Sequence, residues 1–324
     1  MKYRPHMCWF LIIPLFFAPT LMAQDPELLR HFEYDKAAPL DINVIATEKR
    51  VHVTLYDLTY ASPKGGVVPA YLVVPKGKGP FAGIVWGHWY WQNSDMRNRK
   101  EFLDEAIALA PTGVISLLTD GPIARPGHVQ DRTPLNEQQF SDMLQQTLDF
   151  RRGVDLLLAR PDVDSQRLAY VGHSYNAMIG AILSGVDKRF KAYVLMAGPL
   201  SDEVDAKTPG YRKFRERVGP EKFDAMAAKY SWLDPAKYVS KASPAFVFLQ
   251  FATKEDFLTP EIARQYEKVV SEPKRLKIYE APHALNAEAR RDRIAFLTEQ
   301  LKLRPLPSKT IEAIPELYQP PRPN

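Results

Sequence analysis

At 324 residues, 45% hydrophobic and 25% charged, the chain can bury a sizeable core as one large domain. Its formal charge of +5 falls to +3 without residues 1–23, because Lys2 and Arg4 leave with them and 41 basic side chains then face 38 acidic ones; no run of Lys and Arg marks a patch, so charge gives no support to a nucleic-acid partner. The single cysteine, Cys8, lies in that same segment, which excludes disulfides, a cysteine nucleophile and cysteine metal ligands from the rest of the chain.

In chain order, residues 1–23 open with a basic stretch, continue through an apolar centre of about fifteen residues and reach Ala23 before a polar Gln24. This pattern reads as a cleaved signal peptide, too short for a stable membrane span, and predicts an exported, periplasmic or secreted protein. Leu21, at the third position before the cut, leaves an uncleaved anchor as the alternative. Residues 51–58 and 68–75 alternate apolar and polar around Gly65-Gly66 and predict a leading hairpin. The continuous apolar runs at 81–86 and 114–118 predict buried parallel strands. From 138 to 159, Phe140, Met143, Leu144, Leu148, Val154, Leu157 and Leu158 form one stripe at helical spacing, predicting a helix that covers the sheet.

Further on, apolar runs at 168–172, 192–197, 245–252 and 276–280 predict more strands. Strands alternating with helices give an α/β class with a mostly parallel sheet and right-handed crossovers. Residues 199–244 are longer than an ordinary connection and mix charge with Tyr211, Phe214, Phe223, Tyr230, Trp232 and Tyr238, which predicts a small helical cap. Residues 304–324 carry six prolines and are expected to form a helix-free tail, lying on the surface or disordered. The predicted organisation is therefore a leader at 1–23, a catalytic domain at 24–303 with its cap at about 199–244, and the Pro-rich tail at 304–324.

The chemistry concentrates where the run from Leu168 ends at Gly172-His173-Ser174 and turns into the small-residue helix pattern Tyr175-Asn176-Ala177. A sharp strand-to-helix turn of this kind lifts a serine hydroxyl above a sheet and aims the Tyr175 N–H at the position of a developing oxyanion. Gly172 fits the turn; the usual second glycine, two residues after the serine, is replaced by Asn176. The run at 245–252 then ends in Thr253-Lys254-Glu255-Asp256, and the run at 276–280 ends in Ala281-Pro282-His283. Serine, acid and histidine, each just past a predicted strand, is the chain order of the α/β-hydrolase triad. All three fall at the carboxyl edge of a parallel sheet, where ligands bind.

The stretch from Arg152 to Gly198, with Pro161-Asp-Val-Asp-Ser-Gln-Arg-Leu-Ala-Tyr-Val-Gly-His-Ser-Tyr175 and Asp187-Lys-Arg-Phe-Lys-Ala-Tyr-Val-Leu-Met-Ala-Gly198, resembles α/β-hydrolases of the dienelactone hydrolase and acetyl xylan esterase-like group, and the resemblance runs from about residue 51 to about residue 301. It implies the α/β-hydrolase fold, an eight-stranded mostly parallel sheet with helices on both faces, and ester hydrolysis by a serine or cysteine nucleophile, here Ser174. It favours Asp256 over its neighbour Glu255 as the acid, because Asp256 matches the family's position before a short polar loop; Asp202, after the preceding strand, is the reserve. It also implies that the second oxyanion donor comes from Trp86-Gly87-His88-Trp89-Tyr90: with His88 in place of the histidine of the family's His-Gly turn, the donor is the Tyr90 amide, and Trp89 is the alternative.

The expected mechanism is attack by Ser174 on an ester carbonyl, proton transfer through His283 held by Asp256, and oxyanion stabilisation by the Tyr90 and Tyr175 amides. No cofactor and no metal is expected, since neither a His-Glu-x-x-His nor a dinucleotide glycine motif is present. The expected partner is a small-molecule ester; oligomeric state is not readable. An exopeptidase or amidase of the same fold is the alternative enzyme. Asn176 favours a second alternative, a non-catalytic binding protein on a hydrolase scaffold. His88 and His173 are expected to pack rather than react, and His128 and His52 to lie on loops. Trp86, Trp89, Tyr90, Trp91 and Tyr175 crowd the site in sequence and suggest a pocket for a ring-bearing ester, unless they point into the core.

Overall fold

The computed structural model describes residues 25–90, 94–131, 133–255 and 257–317. The leader, with Cys8, lies outside the described residues, as do Trp91 and Asp256. Nine strands form one sheet: β1 (Asn43–Lys49), β2 (Val53–Ala61), β3 (Val67–Pro75), β4 (Phe81–Gly87), β5 (Val114–Thr119), β6 (Val163–His173), β7 (Ala192–Met196), β8 (Phe246–Ala252) and β9 (Lys274–Tyr279). Their spatial order is β1-β2-β3-β5-β4-β6-β7-β8-β9, antiparallel through β1, β2, β3 and β5 and parallel from β5 to β9.

The class expected from sequence holds, with nine strands rather than eight. The additional strand is β1, an edge strand exposed at all seven positions, so it has no buried face to imprint an apolar alternation on its sequence. Strands β4, β5 and β7 are buried at every position, which is why they read as continuous apolar runs. The leading hairpin turns through Gly65 and Gly66 at φ 90 and 75, a region that glycine enters without the Cβ clash of other residues.

Helices cover both faces. On one side lie Glu137–Leu158, Tyr175–Val186 and Pro260–Val269, whose Phe150, Val154, Leu157, Ile179, Ala263 and Tyr266 pack with Tyr170, Tyr193 and Leu249 of the sheet. On the other lie Leu103–Leu109 and Ala287–Leu301, with Ala106, Leu109, Ile294 and Leu297 against Ile84, Val114 and Val194. Each fully buried aliphatic side chain contributes roughly 1.5–3 kcal/mol relative to exposure, so these layers fix the sheet on which the site stands. The 22-residue helix Glu137–Leu158 starts at a capping box between Asn136 and Gln139, within a residue of its expected bounds.

Residues 199–244 fold into short helices, Asp202–Asp205, Pro209–Val218, Pro220–Lys229 and Ala236–Val239, with one 3-10 turn at Ser231–Leu233. The C-terminal segment departs from expectation. Ser308–Glu312 is a helix between prolines, beginning right after Pro307 where proline costs a helix nothing, and Arg290 grips the carbonyls of Ile314 and Pro315, so the segment is docked on the body. No helix among the described residues is long and apolar enough to cross a membrane.

Candidate active site

Ser174 stands between β6 and the helix Tyr175–Val186 with φ 56 and ψ −116. A non-glycine residue at positive φ costs on the order of 1–3 kcal/mol and persists only where its surroundings over-determine it. Here the Ser174 N–H donates to the Met196 carbonyl at 2.7 Å, and its carbonyl accepts from Ala177 at 2.9 Å. A serine at a helix N-cap ordinarily spends its side chain on the first turn; Ser174 makes no such bond, which leaves the hydroxyl for chemistry. Two glycines make the turn possible. A Cβ on Gly172 would lie 2.2 Å from the Asn176 carbonyl oxygen, and one on Gly198 would lie 2.3 Å from the Ser174 carbonyl oxygen, both backbone atoms that cannot step aside.

His283 follows β9 and Glu255 follows β8. Backbone bonds from Thr253 to Tyr279 (2.9 Å) and from Lys254 to Ala281 (3.0 Å) hold these two strand ends together. The His283 Nδ1 and a Glu255 carboxylate oxygen are in direct contact. A carboxylate oxygen accepts, so Nδ1 carries the proton and Nε2 is the basic nitrogen. Among the described residues, the carboxylate beside the imidazole is that of Glu255; the expected Asp256 lies outside them. Asp202 does not reach the histidine: it is exposed and begins the short helix Asp202–Asp205.

In the turn after β4 the two candidate oxyanion amides differ in their partners. The Trp89 N–H donates to the Glu101 carboxylate and is committed. The Tyr90 N–H meets no protein acceptor among the described residues, and the Tyr90 hydroxyl is held by Gln130 at 2.9 Å. Asn176 ties this turn to the elbow. Its side-chain amide donates to the His88 carbonyl at 2.5 Å, while its own carbonyl accepts from the Tyr170 hydroxyl at 2.7 Å. The residue that stands where a second glycine was expected therefore joins the helix after Ser174 to the turn after β4. No sequence signal separates that role from a defect.

His88 packs, as expected. The Gly121 N–H at 3.0 Å can only donate to Nε2, so Nδ1 carries the proton and donates to the Trp89 carbonyl at 2.7 Å. Burial keeps this imidazole neutral by lowering its pKa. His173 is fully buried too, but it is hydrogen-bonded at both nitrogens, to Glu101 and to the His283 carbonyl. His128 lies on a loop, as expected, with its Nε2 3.4 Å from Asp142 and its side chain mostly covered.

Ser174 and His283 open on one cavity of about 600 Å³. Its apolar wall is Ala197, Pro199, Tyr211, Phe214, Phe257 and Leu258, and Lys213 and Arg217 lie at its edge. Of the aromatic rings expected here, those described do not line the cavity. Trp86 and Trp89 are core residues, Tyr175 packs against the core, and Trp91 lies outside the described residues. The rings on the cavity come from the helix Pro209–Val218 and from the loop after β8.

The fold and site together define an α/β-hydrolase fold, and comparison with solved structures agrees. The chain is similar to an acetyl xylan esterase from Paenibacillus sp. R4, with a TM-score of 0.69 and 18% identity over 89% of this chain and 100% of that one. It is similar also to acetyl xylan esterase 1 from Thermoanaerobacterium sp. JW/SL YS485, with a TM-score of 0.67 and 16% identity over 86% of this chain and 95% of that one. Among curated proteins it is 24% identical over 254 residues to the polyketide transferase ATR5 of Stachybotrys chlorohalonatus, covering 63% of this chain and 83% of the relative. No family model matches the chain.

Proposed function

We propose that the chain is a serine hydrolase that cleaves a carboxylic ester through an acyl-enzyme. The observation that carries this reading is the strained, uncapped Ser174 sharing a cavity with a histidine whose Nδ1 is held by a carboxylate. Ser174 Oγ attacks the ester carbonyl, and the His283 Nε2 accepts its proton and returns it to the leaving alkoxide. Glu255 holds the tautomer this requires. The Tyr90 and Tyr175 amides receive the oxyanion, and water, activated by the same imidazole, releases the acid. The similarity to acetyl xylan esterases supports ester rather than amide substrates.

Residues 199–244 act in this reading as the cap, and the walls supplied by Tyr211, Phe214 and Phe257 suit an ester with an apolar or ring-bearing group. A panel of aryl esters of graded acyl length, beside acetylated sugars and aminoacyl amides, tests it. Turnover of esters that disappears in Ser174→Ala is expected. Amide cleavage without ester cleavage, or ester cleavage that survives in Ser174→Ala, would overturn it.

The relative's description as a polyketide transferase favours a second reading, in which an alcohol rather than water takes the acyl group. Adding a primary alcohol to the ester assay and measuring transesterified product separates the two. Residues 1–23 support export, with a mature chain beginning near Gln24; intact-mass measurement of the expressed protein checks the cut.

A further inference from the structure

Behind the site, Glu101 and His173 form a buried pair that the mechanism above does not use. Glu101 stands just before the helix Leu103–Leu109 and is 4% exposed; His173 is the last residue of β6 and is 0% exposed. One Glu101 oxygen accepts the Trp89 N–H, in the oxyanion turn, and the other lies 2.5 Å from the His173 Nδ1. The His173 Nε2 lies 2.9 Å from the His283 carbonyl oxygen. The rings of Trp89, His173 and His283 are stacked, with centroids 5.2 Å apart for Trp89–His173 and 5.1 Å for His173–His283.

Proton positions follow from the partners. The His283 carbonyl can only accept, so the His173 Nε2 bears a proton. A second proton must sit between His173 Nδ1 and Glu101, and in a buried position the pair is least costly when both groups are neutral, with the carboxylic acid donating to Nδ1. The neighbouring charged and titratable groups are consistent with that. Arg293, from the helix Ala287–Leu301, is already paired with Glu105; His88 is kept neutral by burial; and Glu255 is engaged with His283. Burial pushes Glu101 up to about 8 and His173 down to about 4.

We propose that Glu101 and His173 are positioning residues, a neutral pair holding two protons that fixes the oxyanion turn and the main chain of the catalytic histidine to the nucleophile's strand at once. Removing one proton from the pair breaks a link. The remaining proton, drawn to Nδ1 by the ionised carboxylate, leaves a lone pair on Nε2 facing the lone pairs of the His283 carbonyl. The catalytic part of this proposal rests on the hydrolase reading above; the proton count does not.

The test compares Glu101→Gln with Glu101→Ala. A glutamine keeps both links without titrating, since its amide N–H can donate to His173 Nδ1 and its carbonyl can accept from Trp89. Glu101→Gln should keep kcat at pH 7 within about threefold of wild type, whereas Glu101→Ala should lower kcat by roughly 10–100-fold with little change in KM, as expected when supporting contacts of a catalytic group are lost. The second readout needs no activity. Between the ordinary His value of 6.5 and about 8 the native pair holds a proton that the unfolded chain has released, so the wild-type melting temperature should fall as pH rises through that window, and Glu101→Gln should lack this decline. Equal pH dependence of stability in the two proteins would overturn the proton count. Loss of activity in Glu101→Gln as deep as in Glu101→Ala would overturn the positioning role. An inert wild type that still shows the difference in melting would contradict only the hydrolase reading.

Discussion

The support behind Ser174 and His283 and the helices on the far side of their cavity are built in opposite ways. On the chemical wall, behind the cavity, His88, His173, Asn176 and Glu101 are buried, and each bonds a backbone atom of a neighbouring segment: the Gly121 amide, the His283 carbonyl, the His88 carbonyl and the Trp89 amide. On the cap wall, the helix Pro209–Val218 has no buried residue, the helix Pro220–Lys229 has only Phe223, and the two are joined by an exposed Arg215–Asp224 pair and by ring contacts of Phe223 with Tyr211 and Phe214. Buried, hydrogen-bonded groups cost the full desolvation of an orphaned partner when one is removed, whereas exposed pairs contribute about 0–1 kcal/mol. The surroundings of Ser174 and His283 are thus held by contacts that tolerate only substitutions keeping the same donors and acceptors, and the cavity-facing rings by contacts that tolerate many. Chemistry and selectivity should separate accordingly.

The largest break in that comparison is on the chemical wall. Glu255→Gln should lose activity by on the order of 10³–10⁴-fold, because only a carboxylate at Nδ1 holds the imidazole in the required tautomer. Asp256→Asn and Asp202→Asn, measured beside it, should each stay within about threefold. If Asp256→Asn is the more damaging change, the acid is the residue expected from the family position. Asn176→Ala comes next. It leaves the His88 carbonyl without its donor, so it should cost about 1–3 kcal/mol of stability in denaturant unfolding and lower kcat more than it raises KM. Asn176→Gly, the family's residue, should behave as Ala does, since it too lacks the donor.

The cap gives the smallest effects. Phe214→Ala should leave turnover of an acetyl ester within about twofold, while raising KM several-fold for esters with a bulky apolar or ring-bearing group, the order of effect expected when one apolar contact worth about 1–2 kcal/mol is removed. Equal loss on both ester types would show that the cap wall also positions the reacting atoms.

The contrast also explains what the sequence could convey. Buried β4, β5 and β7 wrote their positions as apolar runs, and the Gly172-His173-Ser174 turn wrote its own in glycine and small residues. The exposed β1 left no trace. The acid is not fixed by pattern, because Glu255 and Asp256 are neighbouring carboxylates just past β8, where no periodicity says which one serves His283; among the described residues Glu255 touches it. Asn176 looked like a lesion because its partner, the His88 carbonyl, is 88 positions away, and Glu101 was invisible because His173 is 72 positions from it. The aromatic cluster misled for a related reason: Trp86 and Trp89 stand at the end of a buried strand and pack into the core, while the rings on the cavity come from a helix whose sequence is mostly polar.

Whether Ser174 is the one activated nucleophile is read from reaction with a fluorophosphonate followed by peptide mass analysis. A single adduct on Ser174 is expected, formed in wild type, slowed by orders of magnitude in His283→Ala and Glu255→Gln, and absent from folded Ser174→Ala. An adduct on another residue, or undiminished labelling of Ser174→Ala, would contradict it.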